Sequence, residues 1–116
     1  MTRSKYRNRR TQVAGIWFDS QKEARRYQDL LLLERAGKIE SLHVHPRYYL
    51  TRSFLHDGAV ERAIIYEADF AYLDRELGRM VVEDVKSKGT RTQAYRIKRK
   101  LFLIAYPEFE FREVDE

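Results

Sequence analysis

The sequence predicts one α/β domain, and three observations lead to it. Two segments, near 21–36 and 92–106, carry apolar residues at the three-and-four spacing of a helix face. Four others, at 42–51, 64–73, 79–86 and 109–114, alternate or concentrate β-branched and aromatic residues, as strands do. The chain has 116 residues, 43% of them hydrophobic, which suits one core and leaves no room for a cofactor domain plus a substrate domain. The expected order is helix, three strands, helix, strand.

Each element has a local reason. Residues 1–12 are polar and basic and read as a flexible arm, with 13–116 as the folded domain. Ser20 to Glu23 fits a capping box, in which the Ser side chain caps a backbone N–H and the Glu reaches back. The helix then runs to Ala36, with Ala24, Tyr27, Leu30, Leu31 and Glu34 on one face, and Gly37 stops it. Pro46 marks the segment 42–51 as an edge or a bulge. Asp57-Gly58 predicts a hairpin turn. Alternation through 64–73 puts Tyr66, Ala68, Phe70 and Tyr72 on one face and Glu67, Asp69 and Ala71 on the other. A polar turn at 74–78 leads to the strand 79–86. The second helix starts near Thr92, uses Tyr95, Leu101, Phe102, Ile104 and Ala105 as apolar positions, and ends before Pro107.

Composition excludes several classes. Without cysteine there is no disulfide, thiolate metal site or Cys nucleophile. No apolar run approaches the roughly 20 residues that span a bilayer. No apolar stretch follows the basic start as a secretory signal requires, so the expected compartment is the cytoplasm. The glycines form no phosphate-cradling pattern, so no nucleotide cofactor is expected.

The net charge of +5 is unevenly placed. Arg3, Lys5, Arg7, Arg9 and Arg10 crowd the first ten residues, and the remainder is neutral overall. A second basic run, Lys86 to Lys100, holds seven cations and no acid, among them Lys88, Arg91, Arg96, Lys98 and Lys100. Both runs suit a phosphate backbone, which gives up counterions to Lys and Arg. The acidic stretch 108–116 would repel nucleic acid and is expected away from the site.

Asp84 and Lys86 stand two apart on a strand and so share a face. Metal-assisted phosphodiester hydrolysis needs such a pair. The carboxylate holds a divalent cation that activates water, and the lysine orients the nucleophile or stabilises the transition state. Asp69, on the preceding strand, can add a second carboxylate, and Glu23, in the first turn of the first helix, a third. Glu67 is a weaker candidate. Glu83 points to the opposite face from Asp84 and reads as structural or supporting. His43 and His45, two apart on a strand, could both ligate a metal, but no third ligand is visible, and His56 reads as exposed.

At Asp69, Asp84, Val85 and Lys86 the chain resembles the PD-(D/E)XK nuclease superfamily. The stretches 5–10 (KYRNRR), 18–27 (FDSQKEARRY), 67–70 (EADF), 82–86 (VEDVK) and 95–102 (YRIKRKLF) also resemble a family of small phage and prophage proteins grouped with those nucleases. The resemblance implies a restriction-endonuclease-like core in α-β-β-β-α-β order, with a central mixed sheet flanked by helices. It implies Mg2+ or Mn2+ held by Asp69, Asp84, the Val85 carbonyl and Glu23, with Lys86 assisting the nucleophile. Glu23 corresponds to the helix glutamate of the resolvase-like and TnsA-like branches. Ala68 stands where many members carry proline, and Asp84 where glutamate is commoner. Gln93 and Tyr95 lack the spacing of the exonuclease branch. The implied activity is a DNA endonuclease on branched DNA, acting as a homodimer in the bacterial host cell. Alternatives are a nicking or double-strand endonuclease in phage DNA packaging, a catalytically inactive DNA-binding accessory protein, and an RNA-binding protein.

Overall fold

The computed structural model describes residues 10–86 and 91–115. The chain forms a mixed α/β fold: a four-stranded mixed sheet with one helix on each face. Strands β1 (Thr11–Val13) and β2 (Ile16–Phe18) make a hairpin ahead of helix α1 (Gln21–Arg35). Then come β3 (Ile39–Val44), β4 (Arg47–Thr51), β5 (Phe54–His56), β6 (Ala59–Glu61), β7 (Ile64–Glu67), β8 (Phe70–Asp74) and β9 (Arg79–Lys86). Helix α2 (Gln93–Ala105) and strand β10 (Glu110–Asp115) follow. Thr11 and Gln12, expected in the arm, pair with Phe18 and Trp17 instead. Arg3, Lys5, Arg7, Arg9 and Lys88 lie outside the described residues. Among the described residues no helix is long and apolar enough to cross a membrane.

The main sheet has the order β10-β9-β8-β3. β3, β8 and β9 are successively antiparallel, while β10 runs parallel to β9. A parallel neighbour requires a crossover, and α2 supplies it. The helices start and stop where their caps dictate. The Ser20 hydroxyl accepts from Glu23 N–H at 3.2 Å, and the Thr92 hydroxyl from Tyr95 N–H at 3.1 Å. At the end of α1, Gly37 takes φ +75°. Its N–H bonds to Glu34 O at 3.0 Å and that of Lys38 to Leu33 O at 2.9 Å, closing the helix in a Schellman turn.

The two sheet faces bury separate clusters. On the α1 side Phe18, Ala24, Tyr27 and Leu30 meet Phe70, Tyr72, Val81 and Val85. On the α2 side Phe102 meets Tyr66, Ala68, Ala71 and Val82, with Tyr48, Tyr95 and Tyr106 around them. α2 buries a narrower stripe than its apolar positions predict: Phe102 is enclosed, whereas Ile104 is 77% exposed.

Two of the three expected middle strands break. The segment 42–51 divides at His45-Pro46 into β3 and β4, and 64–73 divides at Ala68-Asp69 into β7 and β8. The breaks face each other and are stitched by His45 N–H to Asp69 O at 2.9 Å and Ala68 N–H to Pro46 O at 3.0 Å. β4 pairs with β7 beyond the break, and β5 with β6 at the tip. There Asp57 and Gly58 have φ of +49° and +77°, the double positive φ of a tight hairpin turn. The break also shifts the alternation by one residue. Tyr66, Ala68 and Ala71 face α2, whereas Phe70 and Tyr72 face α1. The expected common face of Tyr66, Ala68, Phe70 and Tyr72 is therefore corrected, because period-two alternation holds only within an unbroken ladder.

Candidate active site

β9 is the central element of the site. It is buried from Val81 onward and sends alternate side chains to opposite faces. Asp84 and Lys86 point to the α2 side, with Lys86 Nζ 2.6 Å from Asp84 Oδ1. Asp84 Oδ2 accepts a short hydrogen bond from the Tyr66 hydroxyl, whose pKa burial and the nearby carboxylate push upward. The Lys86 ammonium lies over the Tyr95 ring, 3.2 Å from its centroid, so its second neighbour is an aromatic face.

Asp69 stands in the break between β7 and β8. Its N–H bonds to Glu83 O at 3.0 Å, and its Oδ2 accepts from Val85 N–H at 2.6 Å. The break thus fixes the carboxylate against β9. Val85 takes part through its amide, which holds Asp69. From the first turn of α1, Glu23 reaches the same place. Glu23, His45 and Asp69 form the group of ligand atoms lying within 4.8 Å of one another, and His45 Nε2 is 3.5 Å from Glu23 Oε1.

The acids are crowded and buried, and they repel one another. Burial, followed by repulsion from Glu23 and Asp84, pushes the Asp69 carboxyl from 3.8 up to about 8. Burial likewise raises Glu23, with Asp19 and Asp84 adding repulsion. Such crowding holds protons unless a cation neutralises the acids. Oxygen ligands with one imidazole suit Mg2+ and, because of the nitrogen, Mn2+ still better.

At Asp84 opens a cleft of about 470 Å3, with Tyr66, Tyr95, Thr92, Lys98 and Arg47 also in its walls. Glu67, the weaker carboxylate candidate, also lines it, apart from the group of three. Beyond Tyr95, Arg91, Arg96 and Lys100 line a second hollow. Arg10 stacks over Trp17 at 5.0 Å.

The family model described as Protein of unknown function (DUF1064) matches residues 3–114. The chain belongs to the DUF1064 family. No curated protein and no solved structure matches it.

In the DUF1064 chain Glu23 and Asp69 meet, and Asp84, paired with Lys86, lies close enough to repel both but outside their group of ligand atoms. The third member of that group is His45. On a regular strand it would share a face with His43, but its φ of +56° turns it toward Phe18 and Glu23 while His43 stays exposed. The His43–His45 metal pair that their spacing allowed therefore does not form, and Pro46 marks the turn. Tyr66 and Tyr95 read only as apolar positions, and nothing local marks their hydroxyls. The expectation for the acidic tail is corrected as well. β10 pairs in parallel with β9, which sets Glu113 opposite Asp84, and Glu113 Oε2 accepts from the Tyr95 hydroxyl at 2.5 Å. The tyrosine bond, with Arg91 and Arg99, outweighs the upward push of burial and keeps Glu113 below the usual carboxylate range.

Proposed function

We propose that this chain is a metal-dependent DNA endonuclease of the restriction-endonuclease-like type, with branched DNA as substrate. The observation that carries the reading is the approach of Asp69, held in the break before β8, and Glu23, from α1, to the Asp84–Lys86 pair on β9. The order α1, β3, β8, β9, α2, β10 around the main sheet supports the core that the resemblance implies. Glu23, Asp69 and Asp84, with His45 beside them, would hold Mg2+ or Mn2+, and the Val85 carbonyl is assigned there by resemblance. When bound, that cation supplies Lewis acidity, which makes water a nucleophile near neutral pH and offsets charge developing at phosphorus.

The chain's own groups do the rest. Asp84 keeps a free lone pair on each oxygen after its bonds to Lys86 and Tyr66, so it can still ligate. Lys86 carries donors toward the attacking water or a phosphate oxygen while Asp84 and the Tyr95 ring hold it in place. Arg47 and Lys98 flank the cleft and draw the polyanion to carboxylates that would otherwise repel it. The basic arm, with Arg91, Arg96 and Lys100, tracks the backbone. Cutting two strands needs two sites, which a homodimer provides.

The test is cleavage of labelled four-way junction, duplex and single-stranded DNA with Mg2+, Mn2+ or EDTA, with Asp84→Asn and Lys86→Ala alongside. Metal-dependent cutting of the junction, lost in both variants, is expected. Binding without cleavage of any substrate would favour an inactive DNA-binding module, and cleavage that survives Asp84→Asn would sink the site assignment.

A further inference from the structure

The cleft is not the only hollow suited to an anion. Across Tyr95 from it, between α2 and β10, lies a second hollow of about 310 Å3 lined by Arg91, Tyr95, Arg96, Arg99, Lys100 and Glu113. Four cations face one carboxylate, and that carboxylate is poorly shared. Glu113 Oε2 already accepts from Tyr95, while Arg91 Nη2 and Arg99 Nε stand 3.6 Å from its two oxygens, beyond hydrogen-bond reach. Arg99 Nε is shut off from solvent and has no hydrogen-bond partner. Arg96 and Lys100 make no ion pair among the described residues.

Arg99 Nε itself is closed to a ligand, but the Arg99 side chain as a whole is 39% exposed, and Arg96 and Lys100 are exposed, so the hollow presents cationic donors that an incoming oxyanion can reach. A guanidinium fork matches two oxygens of a phosphate, and several such donors around one hollow suit a tetrahedral group. The wall shared with the cleft decides the class of ligand. Tyr95 lines both hollows and covers the Lys86 ammonium, so a strand seated at Asp84 and Lys86 continues past Tyr95 into the arginines.

We propose that the Arg91–Arg96–Arg99–Lys100 hollow is a second phosphate subsite, which grips a phosphate of the nucleic acid strand away from the bond to be cut. The proposal deepens the nuclease reading and rests on it only for the identity of the polymer. The phosphate is an internal diester or a terminal monoester. Both offer the same oxygens, and the experiment separates them.

The experiment is fluorescence anisotropy in EDTA at low salt, using the whole protein and a 12-nucleotide DNA strand with a 5′-phosphate, a 3′-phosphate or neither. Arg99→Gln is expected to weaken binding roughly tenfold and to make the log–log salt dependence shallower by about 0.7, the single-strand value for one phosphate contact. Arg96→Gln, at an exposed and unpaired position, should act in the same direction with an unchanged melting temperature. Glu113→Gln should tighten binding several-fold, because it removes the competing acid. Loss on all three strands identifies an internal diester, and loss confined to one phosphorylated strand identifies a terminal monoester. Unchanged affinity and salt slope in both arginine variants would overturn the proposal. So would weaker binding in Glu113→Gln, a wild type that binds none of the strands, or a polyglutamate peptide that binds as tightly as DNA of equal charge. Failure to cleave DNA with any metal would sink the nuclease reading and leave these binding results standing.

Discussion

Glu83 and Asp84 are neighbours on one buried strand, with the same carboxylate chemistry and opposite fates. Glu83, fully buried on the α1 side, is closed off. Arg26 grips both its oxygens, at 2.8 and 2.6 Å, and the Tyr72 hydroxyl donates a further short bond. The hydrogen bond to Glu83 pushes the Arg26 pKa upward, so charge and donors are matched. Asp84, on the α2 side, has one lysine and one tyrosine and stands beside two more acids whose protons are held by burial and repulsion. A satisfied buried pair makes a scaffold. A crowd of acids beside an open cleft makes the candidate site.

The sharpest way to break that contrast is to open the closed side. Glu83→Ala leaves the Arg26 charge and the Tyr72 hydroxyl without their partner, and the expected loss is about 3–5 kcal/mol of stability by urea unfolding. A loss below about 1 kcal/mol would show that the pair is not structural. On the other side the balance should shift from stability to rate. Asp84→Asn keeps an oxygen to accept from the buried Lys86 ammonium, so it should cost less stability than Glu83→Ala while lowering the cleavage rate by about 10²–10³, roughly 3–4 kcal/mol of barrier, measured in single-turnover assays.

A smaller effect tests the crowding itself. Asp69 holds its proton in the fold up to about pH 8 but ionises near 3.8 when unfolded. The folded state therefore binds more protons across that window, and the metal-free protein should lose stability as pH rises from about 4 to about 8. Asp69→Asn should melt higher than wild type at pH 8, by a few degrees, with the gap closing toward pH 4, and added Mn2+ should narrow the gap at pH 8 by stabilising the wild type. A gap independent of pH would refute the coupling. Smallest is His45→Ala, expected to weaken Mn2+ binding about tenfold while leaving Mg2+ affinity nearly unchanged, as read by isothermal titration. Equal losses for both ions would place the imidazole outside the site.

Much of this contrast is legible in the sequence. Period-two alternation along 79–86 puts Asp84 with Lys86 and sets Glu83 apart, because that strand is unbroken. Ser20 and Gly37 bound α1, and Thr92 and Pro107 bound α2, because caps act within one turn of the chain. Alternation fails at Asp69 and His45, where facing breaks shift the register and a left-handed residue turns its side chain, and no local pattern shows which pairs of residues will meet there.

The sequence by itself determined the helices, the strand that carries Asp84 and Lys86, and the opposite sides taken by Glu83 and Asp84. All of these depend on residues within a few positions of one another. Only the tertiary structure decided that Asp69 is pinned by the Val85 amide and that His45 joins Glu23. It also decided that Tyr66 and Tyr95 hold the Asp84–Lys86 pair and that Glu113 sits among the arginines instead of away from the site. Those contacts follow from strand pairing and from the α2 crossover that lays β10 beside β9, and long-range hydrogen bonding fixes both.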